Sequence, residues 1–406
     1  MNTRVTLASL LVATSAFASA QLDLGTTDAS DGVSQVFPGN GLTFNLAEAA
    51  TGTWNSPAPV PGKGVYDPQL WAVVYKFSSI NWQENTVISF VPHPSGCPVI
   101  FLSQGNVTIN TNFTLPYFIG GFGGGQTSQT SLGSGGLGPG GGSLNTVSGL
   151  YGGNGSYATS SPASNPHLGN GQVYGNPAIL PLIGGSGGGT SQSVSFGGAG
   201  GSAILIASRE TFTFGGYIGA PGQSLNGVSI GGSGSGGAIK LMGQTFNSAP
   251  GANLVVSGGT SNVGVAAGEG RIRIEANTFG TLPSSPNPIS TATAGPVAKI
   301  FATNLTPKVT ISKVGGISAP TDSRGTFNSP PDVNLNAPGS QTVEVTCENV
   351  PVNGTWSVFV RGVPRNGQDV TYTATYATGN LAWSTWTVNV PFTEGNQVLQ
   401  VRAKKN

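Results

Sequence analysis

Glycine-rich runs that each lead into a short apolar strand recur along this chain, and they constrain its fold more than any other feature. Three of them echo one another: GGAGGSAILIAS (197–208), GGSGSGGAIKLMG (231–243) and AAGEGRIRIEA (266–276). The matching positions Ile204, Ile239 and Ile272 stand 35 and 33 residues apart. A near-fixed period of this length marks a stacked-repeat architecture. After each first strand comes a tight corner and a second strand, as in AILIAS then TFTF (211–214), or PVIFLS (98–103) then NVTI (106–109). No unit carries helical periodicity. Short strands with period-two alternation describe one coil of a parallel β-helix, with one face inward and coils hydrogen-bonded above and below.

The alternation assigns faces. Ile204, Ile239 and Ile272 form one inward column, and Ile206, Leu241 and Ile274 the next. Leu205, Lys240, Arg273 and Glu275 then point outward. Glycine and serine at the corners let the backbone turn sharply. The largest glycine-rich stretch, 120–201, has few apolar anchors with which to offset the entropy of ordering. It reads as a long excursion over a solenoid face. The competing arrangement is a set of packed polyglycine helices, with backbone hydrogen bonds in place of side-chain packing.

Composition supports an unusual surface. Charged residues make up 8% of the 406-residue chain, against roughly 25% for ordinary soluble proteins. The formal net charge of +1 gives no electrostatic case for nucleic acid or an anionic membrane surface. Residues 1–20 read as a secretory signal peptide: Arg4, an apolar stretch from Val5 to Phe17, and a small-x-small site ending at Ala20, with cleavage before Gln21. No other segment holds the roughly 18 uninterrupted apolar residues of a membrane span. The two cysteines, Cys97 and Cys347, fall in different domains; buried thiols and an inter-domain bridge both stay open.

Runs of GGSGGG type before AIxL strands, with a WAVVYK segment (71–76) upstream, resemble those of glycine-rich secreted bacterial proteins of the parallel β-helix group. The resemblance covers roughly residues 50–280. It implies a secreted or surface location more than a chemistry. Short alternating strands also run from QTVEVTCENV (341–350) to NQVLQVRA (396–403), at about 8–12-residue spacing. They resemble an immunoglobulin-like or fibronectin III-like β-sandwich, with Val343, Val345, Trp356, Val358, Val360, Tyr372, Trp386, Val388, Val398 and Val401 in its core. The expected organisation is therefore all-β: signal peptide 1–20, N-terminal leader and β-rich cap 21–97, and a glycine-rich right-handed solenoid 98–302 with insertion 120–201. A linker carrying the first sandwich strands (303–339) and a sandwich (340–406) follow.

Catalytic chemistry finds little support. Between residues 50 and 316 the acids are Asp67, Glu84, Glu210, Glu269 and Glu275, with no DD, DxD or ExD cluster. Glycoside hydrolysis needs two carboxylates about 5–10 Å apart, and only Glu269 and Glu275 could supply such a pair. His93 and His167 are isolated, no Cys/His spacing fits a metal site, and no phosphate-loop motif or cofactor fingerprint is present. Trp54, Trp71 and Trp82 read as packing residues. Lys240, Arg271 and Arg273, with Arg209 as a neighbour, read as a solvated basic face that could touch an anionic surface polymer. The expectation is a secreted, non-catalytic structural or adhesive protein, with extracellular polysaccharide or other surface proteins as partners. A polysaccharide-active β-helix enzyme and a carbohydrate-binding protein are the alternatives.

Overall fold

The computed structural model describes residues 21–25, 28–126, 133–147, 150–162, 167, 169–191, 196–225, 230–302, 306–320, 330–365, 367–393 and 395–406. The signal peptide expected over 1–20, including Ala20, lies outside these residues. Among the described residues the fold is all-β, and the helical element is one 3-10 turn, Leu46–Glu48.

The repeat strands pair in parallel and in register. Val73, Val99, Ile204, Ile239, Ile272 and Ile289 lie side by side on successive strands. Tyr75, Phe101, Ile206, Leu241 and Ile274 form the next column. A second ladder aligns Ile80, Val107, Phe212 and Phe246, and a third aligns Phe113, Ile218 and Leu254. These side chains share one core. Ala238–Ser248 is long enough to belong to two ladders at once: it pairs with Ala203–Ser208 through its first half and with Thr211–Phe214 through its second. That continuity, with Arg271–Phe279 beside it, joins the ladders into a twelve-stranded sheet. The sheet is mixed, because Val65–Asp67 runs antiparallel to Ala72–Phe77.

At the N-terminal end the core is aromatic. Phe44 packs within 4.8 Å of Phe101 and 5.6 Å of Trp82, ring centre to ring centre, and Tyr75 stacks on Phe101 at 5.2 Å. Edge and offset ring contacts of this kind add about 0.5–1.5 kcal/mol each beyond their buried area.

Leu205, Lys240 and Glu275 do face away from this inner core, but the outer face of the first ladder is not solvated, which corrects the expected exposure of Lys240 there. A second core covers it: Val74, Ile100, Leu102, Leu205, Ala207 and Met242 pack under Leu22, Leu24, Ile179, Leu182, Ala294 and Ile300. Three separate segments, near residues 22–24, 179–182 and 294–300, strap across the ladder. All six residues of Ala203–Ser208 are consequently buried.

The stretch 120–201 is likewise no loose excursion in its described parts. Its glycines bond to one another through the backbone. Gly184 donates to Gly120, Gly185 to Gly201, Gly187 to Leu137, Gly188 to Gly198 and Gly189 to Gly153. Ser186 donates to the Ser235 hydroxyl at 2.8 Å. Gly185 and Gly188, three residues apart, thus return to one neighbouring segment, a spacing that fits the three-residue period of polyproline II, whose backbone makes no internal bonds and is left to bond its neighbours. Of the two arrangements weighed for this stretch, packed polyglycine helices is the one these bonds describe. Glycine is required by proximity: a Cβ at Gly124, Gly142, Gly153 or Gly188 would fall within 3.0 Å of a neighbouring carbonyl.

The C-terminal strands form a seven-stranded antiparallel sheet in the order Ile317–Ser318, Lys308–Val314, Gly339–Glu348, Ser384–Phe392, Val370–Gly379, Trp356–Pro364, Gln397–Lys405. The sheet curls, so that Val309 and Ile311 pack into the same core as Leu399 and Val401 from its other end. Val343, Val345, Cys347, Val358, Val360 and Trp386 are buried there. Val398 departs from the expected core. It packs instead with Val363 against Leu137 of the glycine-rich layer.

Candidate functional site

The basic residues expected to face solvent are instead tied into the fold. Lys240 is 0% exposed. Its Nζ donates to the carbonyls of Ala178 (3.1 Å) and Lys299 (2.9 Å), one from each of two covering segments, and lies 3.4 Å from Glu275 Oε1. Burial pushes the Lys240 ammonium below its ordinary value, and Glu275 pulls it back up. Arg273 Nε donates to the same Glu275 oxygen at 2.9 Å. Arg271 donates from Nη2 to the Tyr174 carbonyl at 2.8 Å and lies over the Tyr157 ring at 5.3 Å. Lys240 and Arg271 therefore hold covering segments to the ladder, and Arg273 ties neighbouring ladder strands through Glu275 and Ser290, so the three do not form an open anion-binding face. Near the other end of the ladder Lys76, also 0% exposed, bonds to Asp28 at 3.0 Å and serves the same purpose.

The two carboxylates considered for hydrolysis have separate surroundings. Glu275 is buried against Lys240 and Arg273. Glu269 lies in a loop whose amide donates to the Thr159 hydroxyl and whose carbonyl accepts from Ala158. Among the described residues no group of three His, Cys, Asp or Glu side chains gathers as a metal ion would need.

The remaining singled-out residues are structural. Gln21 donates from its amide to Glu210 at 2.9 Å. Trp82 is buried, with its indole N–H on Ser34, while Trp54 packs on Phe301 and Trp71 stacks on Phe122. His93 stacks on Tyr66 with ring centres 4.0 Å apart, and His167 is buried beside Tyr151. Cys97 and Cys347 are buried thiols in separate cores, so no bridge links the domains. Burial raises the Cys347 thiol to about 11.

A cleft that the sequence did not announce lies where the C-terminal sheet meets the glycine-rich layer. Its volume is about 380 Å³, within the usual ~300–1,000 Å³ range of small-molecule sites. One wall carries Arg361, Asp369, Thr371 and Arg402; the other carries Phe122, Ser143, Asn170 and Gln172. Strand pairing sets the first wall: Arg361 lies opposite Thr371 on one side and Gln400 on the other, and Arg402 lies opposite Phe359. Arg361 Nε donates to Asp369 Oδ2 at 2.8 Å and Nη1 reaches the Gly138 carbonyl at 3.3 Å, so this guanidinium is paired and clamps the two layers. Arg402 lies over the Phe359 ring at 5.4 Å, and burial together with the charge of Arg361 lowers its basicity. Nothing in the sequence placed Arg361 and Arg402 opposite residues 139–172. A larger cavity of about 590 Å³, of mixed lining, opens in the C-terminal sheet among Val309, Ile311 and Leu399 on the one hand and Asn334, Asn336 and Gln397 on the other.

Among the described residues no helix is long and apolar enough to cross a membrane. No protein-family model, curated protein or solved structure matches the chain.

Proposed function

We propose that this chain is a secreted, non-catalytic structural or adhesive protein, built as a right-handed parallel β-helix followed by an immunoglobulin-like sandwich. The column from Val73 to Ile289 carries the solenoid reading, because six parallel strands in register are what successive coils of a β-helix produce. The right hand follows from the strong preference of parallel β-crossover-β connections. The antiparallel order and shared apolar core of the C-terminal strands support the sandwich. Secretion rests on the signal-like residues 1–20.

The non-catalytic role rests on how the charges are used. Lys240 fastens two segments to the ladder and is held there by Glu275, Arg273 ties Glu275 to the neighbouring strand at Ser290, and Lys76 fastens the segment at Asp28. A buried ion cluster bonded to backbone carbonyls orders a scaffold; it is poorly placed to exchange protons with a substrate. A depolymerisation screen of the mature protein against plant and bacterial polysaccharides tests this reading. No release of reducing ends is expected. Turnover that disappears in Glu269→Ala or Glu275→Ala would replace the scaffold with the polysaccharide-active enzyme.

A further inference from the structure

We propose that the cleft between the glycine-rich layer and the C-terminal sheet binds an acidic polysaccharide, with Arg402 pairing to the carboxylate of an anionic sugar unit. The assignment rests on the reading of the chain as an extracellular adhesive protein and names what it adheres to.

Charge is the first reason. The first wall carries two guanidiniums and one carboxylate, and that carboxylate is bonded to Arg361. Among the described residues no ion pair is made by Arg402. One positive charge is therefore left over at the cleft, on the exposed Arg402 side chain beside the like charge of Arg361, and an anion that pairs with it also relieves that repulsion. Shape and lining are the second reason. Opposite Arg402 the wall is uncharged: the Ser143 hydroxyl, the Gln172 amide and the Phe122 ring line it, while the Asn170 amide is already bonded to Asn154, Ser161 and Pro162. Together with Thr371 they offer hydrogen bonds and an apolar surface to a ring bearing hydroxyls. A uronic acid unit carries its carboxylate and several hydroxyls on one ring, so a single unit can meet Arg402 and the neutral wall together.

Titration of the full mature protein with oligogalacturonides, followed by calorimetry, tests the assignment. Binding is expected, weakening as salt rises. Arg402→Gln should reduce affinity roughly tenfold or more, while Lys404→Gln, on the same strand and exposed, should leave it unchanged. The same oligomers with their carboxylates reduced to alcohols should bind no better to wild type than to Arg402→Gln. Equal affinity in wild type and Arg402→Gln, or no binding at all, overturns the site. Poly-glutamate binding as tightly through Arg402 assigns the cleft to acidic protein and overturns the sugar. Release of reducing ends during the titration would instead overturn the non-catalytic reading, and it is scored separately from affinity.

Discussion

Lys240 shows how a single side chain changes meaning between a strand and a fold. Its amine bonds two backbone carbonyls and pairs with a carboxylate at a site closed to solvent. Lys240→Met removes that donor and strands the carbonyls of Ala178 and Lys299, a loss of about 1–3 kcal/mol per buried unpaired group. The pH dependence has a definite sign. The folded-state value lies below the ordinary 10.5, so above it the unfolded chain binds more protons than the folded one. Wild-type stability should therefore gain on Lys240→Met as pH rises from that lowered value towards 10.5. Urea midpoints for both proteins across the alkaline range check this, and a gap that stays constant would show that Lys240 titrates as in the unfolded chain. The sequence placed Lys240 in the right register, beside Leu205 and Arg273. It could not place the cover, because residues 179–182 and 294–300 carry no periodicity that refers to the strand beneath them.

Whole strands were more legible than their surroundings. The inward columns at Ile204 and Ile206 follow from spacing alone, because identical repeats stack identical faces. The second buried face was also written in the chain, as AILIAS has no polar residue until its last position. A continuous apolar strand is one buried on both sides, and that signal outranks simple alternation. The glycine-rich stretch failed for a different reason. Sequence arguments count side chains, and here the contacts are between backbones. Proximity then separates one glycine from another. Gly188→Ala pushes a methyl into the Gly232 carbonyl, and Gly123→Ala meets only side-chain atoms of Phe118 and Leu137 at 3.5–3.6 Å. The first should cost roughly 1–3 kcal/mol or more through overpacking, and the second should stay within about 1 kcal/mol of wild type. Equal denaturation midpoints for the two variants would mean that the glycine-rich layer is not close-packed.

Across the whole molecule, the layers are joined at points the sequence separates widely. Arg361 reaches back 223 residues to Gly138, and Leu137 meets Val363. Such long-range closure makes the fold dependent on pieces that meet late, and it creates the cleft as a by-product of docking. Nothing local in residues 137–138 or 361–363 refers to the other pair, so the docking geometry needed the structure.

The polyglycine layer has a consequence for the thermodynamics of the protein. Unfolding a conventional core exposes apolar area and raises heat capacity by about 0.45 cal/mol/K per Å², while exposing peptide groups lowers it by about 0.26. Residues 120–201 are held chiefly by the second kind of contact. The heat-capacity increment per residue should then fall below the usual ~12–15 cal/mol/K, flattening the stability curve so that cooling weakens this layer less than an ordinary core. Scanning calorimetry over a range of pH measures that increment, and a value at or above the usual range would show that apolar burial dominates here after all.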